Sequence, residues 1–172
     1  MESAYQPELW RDLYVMLGTS SAGLIGLLFI ASSLHLDDMK NEVFRLRASN
    51  NTLCLLIMLI QAAVILVPQP TVMLGLELTV SNLLGLMIPL SFTYKVHLKN
   101  KSVGSRGGYS IYRAVGYMGG YLLGVGGGIA LINLSYWGMY LVTVSYVGVL
   151  AAVIWNAWII MFGLRRRAFN KG

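Results

Sequence analysis

Apolar residues gather into five long runs, Leu13–Leu36, Thr52–Val67, Val72–Tyr94, Ala114–Leu134 and Tyr140–Phe162, with polar residues between them. A hydrocarbon core about 30 Å thick is crossed by about 20 helical residues, each rising about 1.5 Å. Every run but the second reaches that length, and the second does so if its helix extends back through Ala48. The pattern predicts an all-α, polytopic transmembrane bundle of five spans. The segment Asp37–Asn51 has no Gly or Pro and should continue helically into span two. Pro68-Gln69-Pro70 cannot continue a helix, so spans two and three should form a tight antiparallel hairpin. Lys95–Arg113, with Gly104, Gly107 and Gly108, reads as a mobile loop. The domain division that follows is an outer tail at 1–12, a five-helix domain at 13–164 and a basic tail at 165–172.

Charge sets the direction of threading. Of the 13 Lys and Arg residues, all but Arg11 fall in alternate segments. These are Lys40, Arg45 and Arg47; then Lys95, Lys99, Lys101, Arg106 and Arg113; then Arg165, Arg166, Arg167 and Lys171. Basic residues stay on the cytoplasmic side during insertion, which predicts the N-terminus outside and the C-terminus inside. The net charge of +6 is spread over three short segments and forms no compact face. It therefore reads as an orientation signal and an affinity for anionic lipid at the cytoplasmic face, with no nucleic-acid partner.

Composition agrees. The 172 residues are 56% hydrophobic and 12% charged, whereas about a quarter of a soluble protein is charged. Little chain remains for a soluble catalytic domain. The single Cys54 sits inside the second run and reads as a buried thiol. The first run does not read as a cleavable signal, because Glu2, Glu8, Arg11 and Asp12 before it are net acidic. Neither end carries a lipidation motif.

Small residues mark helix faces. Gly116, Gly120, Gly124 and Gly128 recur every four residues in span four and predict a continuous groove for close helix contact, within one copy or between copies. An alternative is a helix break at Gly126-Gly127-Gly128 that exposes carbonyls to a cavity. Gly18, Ala22 and Gly26 make a similar face in span one, where Thr19, Ser20 and Ser21 could instead line a watery path. Gly148, Ala152 and Asn156 give span five its own small face. Trp10, Tyr14, Tyr136, Trp137 and Tyr140 stand where an outer aromatic belt belongs, and Trp155, Trp158 and Phe162 where an inner one does.

Only Glu77 among the acidic residues lies well inside a run. An ionisable group at membrane depth suggests a proton or ion site, or a paired interior group. It lies about 8 Å below the start of span three, near enough to the interface that it could also snorkel outward. Gln61 lies about 9 Å from the end of span two, so a Gln61–Glu77 hydrogen bond is expected across the hairpin. Asn82 lies deeper. Glu77, Ser81, Gly85 and Pro89 share one stripe, and Pro89 should kink or open the helix at Gly85. A ring of such glutamates in an oligomer would attract cations. His35 and Asp38 have helical i, i+3 spacing, but two histidines, His35 and His97, without a cysteine partner predict no metal site. Ser20 and Ser21 are about 20 Å of helix from His35, too far for a catalytic pairing. No cofactor is expected.

The segment Trp10–Leu36 (WRDLYVMLGTSSAGLIGLLFIASSLHL), with Val67-Pro68-Gln69 and Leu74-Gly75-Leu76-Glu77-Leu78, resembles the start of a group of small uncharacterised bacterial inner-membrane proteins. Some of that group are labelled modulators of a membrane-bound AAA protease. The better-known modulators have more spans than this chain, and no functional residue carries over. The resemblance implies a multi-pass protein of the bacterial cytoplasmic membrane. The sequence thus favours a non-enzymatic, oligomeric structural, accessory or regulatory component of a membrane complex. The alternative is a small oligomeric cation channel or ion-coupled transporter using Glu77, Gln61 and Asn82.

Overall fold

A computed structural model describes residues 6–34, 42–103 and 108–169. These form five helices: α1 (Pro7–Leu34), α2 (Glu42–Leu66), α3 (Thr71–Val103), α4 (Gly108–Ile132) and α5 (Trp137–Phe169). Each is long and apolar enough to cross a membrane. The protein is an all-α chain of multi-pass character.

The helix ends follow from local chemistry. Pro7 opens α1, where its missing N–H leaves no donor unpaired, and Glu8 complements the positive end of the helix dipole. Pro68 and Pro70 stop α2 and start α3: the Pro70 carbonyl accepts from the Leu74 N–H at 3.1 Å. Between α4 and α5 the chain turns in a Schellman motif. The Leu134 N–H reaches the Leu131 carbonyl at 2.9 Å and the Ser135 N–H reaches the Ala130 carbonyl at 2.8 Å. Leu134 adopts the left-handed conformation this turn requires, with φ 55°.

Three expectations change. The Lys95–Arg113 stretch is largely helical: α3 runs on through Val103 and α4 begins at Gly108, leaving 104–107 outside the described residues. No Gly or Pro interrupts Lys95–Val103, so nothing stops α3 at the expected boundary. The Arg165–Arg167 segment belongs to α5, which continues to Phe169. The alternative break at Gly126-Gly127-Gly128 does not occur, since α4 runs through all three, and Pro89 lies inside α3. The helical continuation of the Asp37–Asn51 segment holds from Glu42 onward.

Helices α3, α4 and α5 form a tightly packed row, and α2 closes it by touching both α3 and α5. Helix α1 lies along α2 and reaches α5 through side chains: the Tyr14 hydroxyl sits 3.0 Å from that of Thr143, and Trp10 meets the edge of Tyr140 at 5.1 Å. The core contains Leu55, Met58, Leu74, Leu78, Tyr121, Val142 and Val149. Tyr14 belongs to this core and not to an outer belt, since it is fully buried and its ring stacks edge-on against Tyr146. Tyr136, Trp137 and Tyr140 do cluster on the surface, and Trp155 and Trp158 are exposed near the far end of α5.

The span-four glycine face is consumed inside the molecule. A Cβ on Gly120 would strike Val149 of α5, and one on Gly124 would fall on the Asn82 side chain and the Ser145 hydroxyl. One on Gly128 would meet the Gly75 carbonyl and the Thr79 N–H of α3, each at 2.9 Å. Gly116 is looser, 3.8 Å from the Ala152 methyl. In α1 only Gly18 packs tightly, 3.1 Å from the Ala62 methyl, while Gly26 faces open space. Small residues on the expected stripe therefore divide between contact and exposure.

Candidate polar site within the helix bundle

Polar side chains thread the bundle at three levels. At the α2–α3 hairpin, Gln69 is the organiser. Its Nε2 donates to Glu77 Oε2 at 2.8 Å and to the Val64 carbonyl at 3.3 Å. One amide thereby caps the end of α2 and holds the carboxylate of α3. Gln61 does not pair with Glu77. It donates to the Ser81 hydroxyl at 3.0 Å, one turn further along the same α3 stripe. Gln69 in the turn is the nearer amide for Glu77, and Ser81 faces Gln61.

At mid-bundle, Asn82 is buried and donates from Nδ2 to its own Leu78 carbonyl at 2.7 Å. Ser145 of α5 donates to the Gly120 carbonyl of α4 at 2.7 Å. Both side chains fill the space left by the missing side chain of Gly124, which explains why that position holds a glycine. Gly85 is likewise explained by close approach: any Cβ there would overlap the Tyr121 ring. Glu77, Gln61 and Asn82 thus share α2 and α3 but form no single hydrogen-bonded cluster.

At the opposite end lies a cluster that the sequence did not single out. Asn51 Oδ1 accepts from the Tyr117 hydroxyl at 2.8 Å and from Asn156 Nδ2 at 2.6 Å. This ties α2, α4 and α5 together through one oxygen. Nearby, Tyr146 donates to the Met58 carbonyl at 3.0 Å and lies 3.1 Å from the Ser21 hydroxyl, linking α5, α2 and α1. Ser21 is therefore a buried tie, while Ser20 returns its proton to its own helix at Met16. Asn51 Nδ2 and Asn50 Oδ1 are buried without a hydrogen-bond partner. The Tyr121 hydroxyl, buried with no oxygen or nitrogen partner among the described residues, lies beside the weakly bonding thiol of Cys54. Asn51 and Asn156 stand at matching heights in spans two and five, which was the available signal. By sequence Asn51 falls at the end of the charged segment before span two.

Among the described residues, no three of His, Cys, Asp and Glu come together as metal ligands. His35 and Asp38 lie outside the described residues, as does the side chain of His97. No protein-family model, no curated protein and no solved structure matches the chain.

Proposed function

We propose that this chain is a non-enzymatic, multi-pass component of the bacterial cytoplasmic membrane, with its N-terminus outside and its C-terminus inside. It acts by packing against a second copy, or against a helix of a larger complex, in a structural, accessory or regulatory role. The observation that carries this reading is a set of outward glycines. Gly119 and Gly126 of α4 and Gly148 of α5 have nothing within 4 Å of where a Cβ would stand. Gly119 and Gly148 each precede a residue of the Gly120–Val149 contact, and α4 and α5 run antiparallel, so both turn to the same side of the pair. In lipid, small residues on an outer face let another backbone approach closely. The contact surface is thus the outer side of α4–α5, and not the inward face of Gly120, Gly124 and Gly128.

Cysteine crosslinking tests this. Cys54 is buried and can be changed to Ala, leaving Gly119→Cys or Gly148→Cys as the reporter. Crosslinking between copies, or to another membrane protein, is the expected result. A monomer that yields no adduct at either position in native membranes would overturn the reading.

A second reading is supported by the buried polar groups. The unpaired Asn51 Nδ2 and Asn50 Oδ1 at one end, and Glu77 at the other, would bound a route for protons or cations past the buried Gln61 and Asn82. Proteoliposome flux abolished by Glu77→Gln would favour it over the first reading, and absence of flux in the unaltered protein would remove it.

A further inference from the structure

A groove of about 600 Å³ lies between the second half of α1 and the first half of α2. Its two ends differ chemically. Helix α1 runs toward the end of the bundle where α2 begins. There the lining residues are the hydroxyl-bearing Ser32, Ser33 and Ser49. One to two turns deeper they are Ile25, Leu28, Phe29 and Leu53, with Thr52 the one hydroxyl among them. Arg45 is exposed, begins the apolar part of α2, and precedes Ser49 by one helical turn, so it stands on the groove's side of that helix. A cation, then hydroxyls, then hydrocarbon is the order in which an anionic phospholipid presents its phosphate, its glycerol region and its acyl chain.

The geometry points to a binding site for one anionic phospholipid. An acyl chain lies between Leu28 and Leu53, the ester region meets the serine hydroxyls, and the phosphate pairs with the Arg45 guanidinium. Guanidinium matches phosphate oxygens with two parallel N–H donors, and basic groups between transmembrane helices bind acidic head groups in this way. The Ser33 hydroxyl already donates to the Phe29 carbonyl at 2.9 Å, so it has no proton to offer an ester oxygen, and the charge comes from Arg45. The preference among head groups therefore rests on Arg45 and the fit of the chain on the groove.

Native mass spectrometry of the full chain in detergent tests this, with phosphatidylglycerol and phosphatidylcholine of identical acyl chains as probes. The unaltered protein should retain phosphatidylglycerol about fivefold more strongly, the ratio one basic group confers near an acidic head group. Arg45→Gln should bring the two lipids to near parity. Arg11→Gln, at the opposite end of the bundle, should leave the preference intact. Ser49→Trp should fill the groove and remove the tightly held lipid of either kind. Equal retention of both lipids by the unaltered protein, an undiminished preference in Arg45→Gln, or an undisturbed adduct in Ser49→Trp would each overturn the assignment.

Discussion

Asn156 donates its amide proton to Asn51 Oδ1 at 2.6 Å across the α2–α5 contact, and the same oxygen accepts the Tyr117 hydroxyl. Two helices therefore depend on a single acceptor in α2. Interhelical hydrogen bonds in membrane bundles average about 0.6 kcal/mol and reach about 1.7. Asn156→Ala should lower unfolding free energy by about 0.5–1.5 kcal/mol. Asn51→Ala should cost more, because it removes an acceptor that two donors share. Unfolding in a denaturing detergent checks both, and equal losses would contradict the shared-acceptor geometry.

Gly128 and Gly126 make a matched pair on one helix. A methyl at Gly128 meets backbone atoms of Gly75 and Thr79, which cannot swing aside, so Gly128→Ala should destabilise by about 1–3 kcal/mol. A methyl at Gly126 meets nothing. Gly126→Ala should be neutral or gain up to about 1 kcal/mol from helix propensity, and should instead disturb association between copies. Thermal unfolding of the two variants, with sizing in mild detergent, separates packing from association.

Leu134 holds a left-handed conformation that costs a non-glycine L residue about 1–2 kcal/mol, and its side chain is mostly exposed. Glycine adopts that conformation without strain. Leu134→Gly should raise stability by about 0.5–1 kcal/mol, after the added freedom of the unfolded chain is subtracted. A lowered melting temperature would show that the exposed leucine contributes contacts that outweigh the strain.

Gln69 holds Glu77 by donation, and a glutamine at position 77 can still accept through its carbonyl. Glu77→Gln should change stability by less than about 1 kcal/mol. Gln69→Ala should cost about 1 kcal/mol, since it takes the donor from the Glu77 carboxylate, while the Val64 carbonyl keeps the Val67 N–H at 3.2 Å. The two variants, measured by the same unfolding assay, show whether the turn amide or the charge matters to the fold.

Periodicity carried most of the architecture, because a backbone in hydrocarbon has few options beyond the helix and the length of each apolar run measures the bilayer. What it could not carry is rotation about each helix axis. Gly120, Gly124 and Gly128 announced close contact, yet only the neighbouring side chains of Val149, Asn82 and Thr79 show that the contact is internal. Glu77 was visible as an intramembrane acid, but its partner lies in the turn, where depth along the spans gives no guidance. Tyr14 looked interfacial by position, and the packing of α5 against α1 made it core. Helical extension past the third and fifth apolar runs is invisible to hydropathy, which records where lipid ends and not where hydrogen bonding stops.

The Gly75–Gly128 contact brings two main chains together, with the carbonyl of one glycine 2.9 Å from the Cβ position of the other. Cogs meshed that deeply can neither slip nor turn, so α3 and α4 travel as one block. Helix α1 is the least buried of the five spans, at 22%, and it meets α5 through hydroxyls and ring edges in place of interlocked main chains.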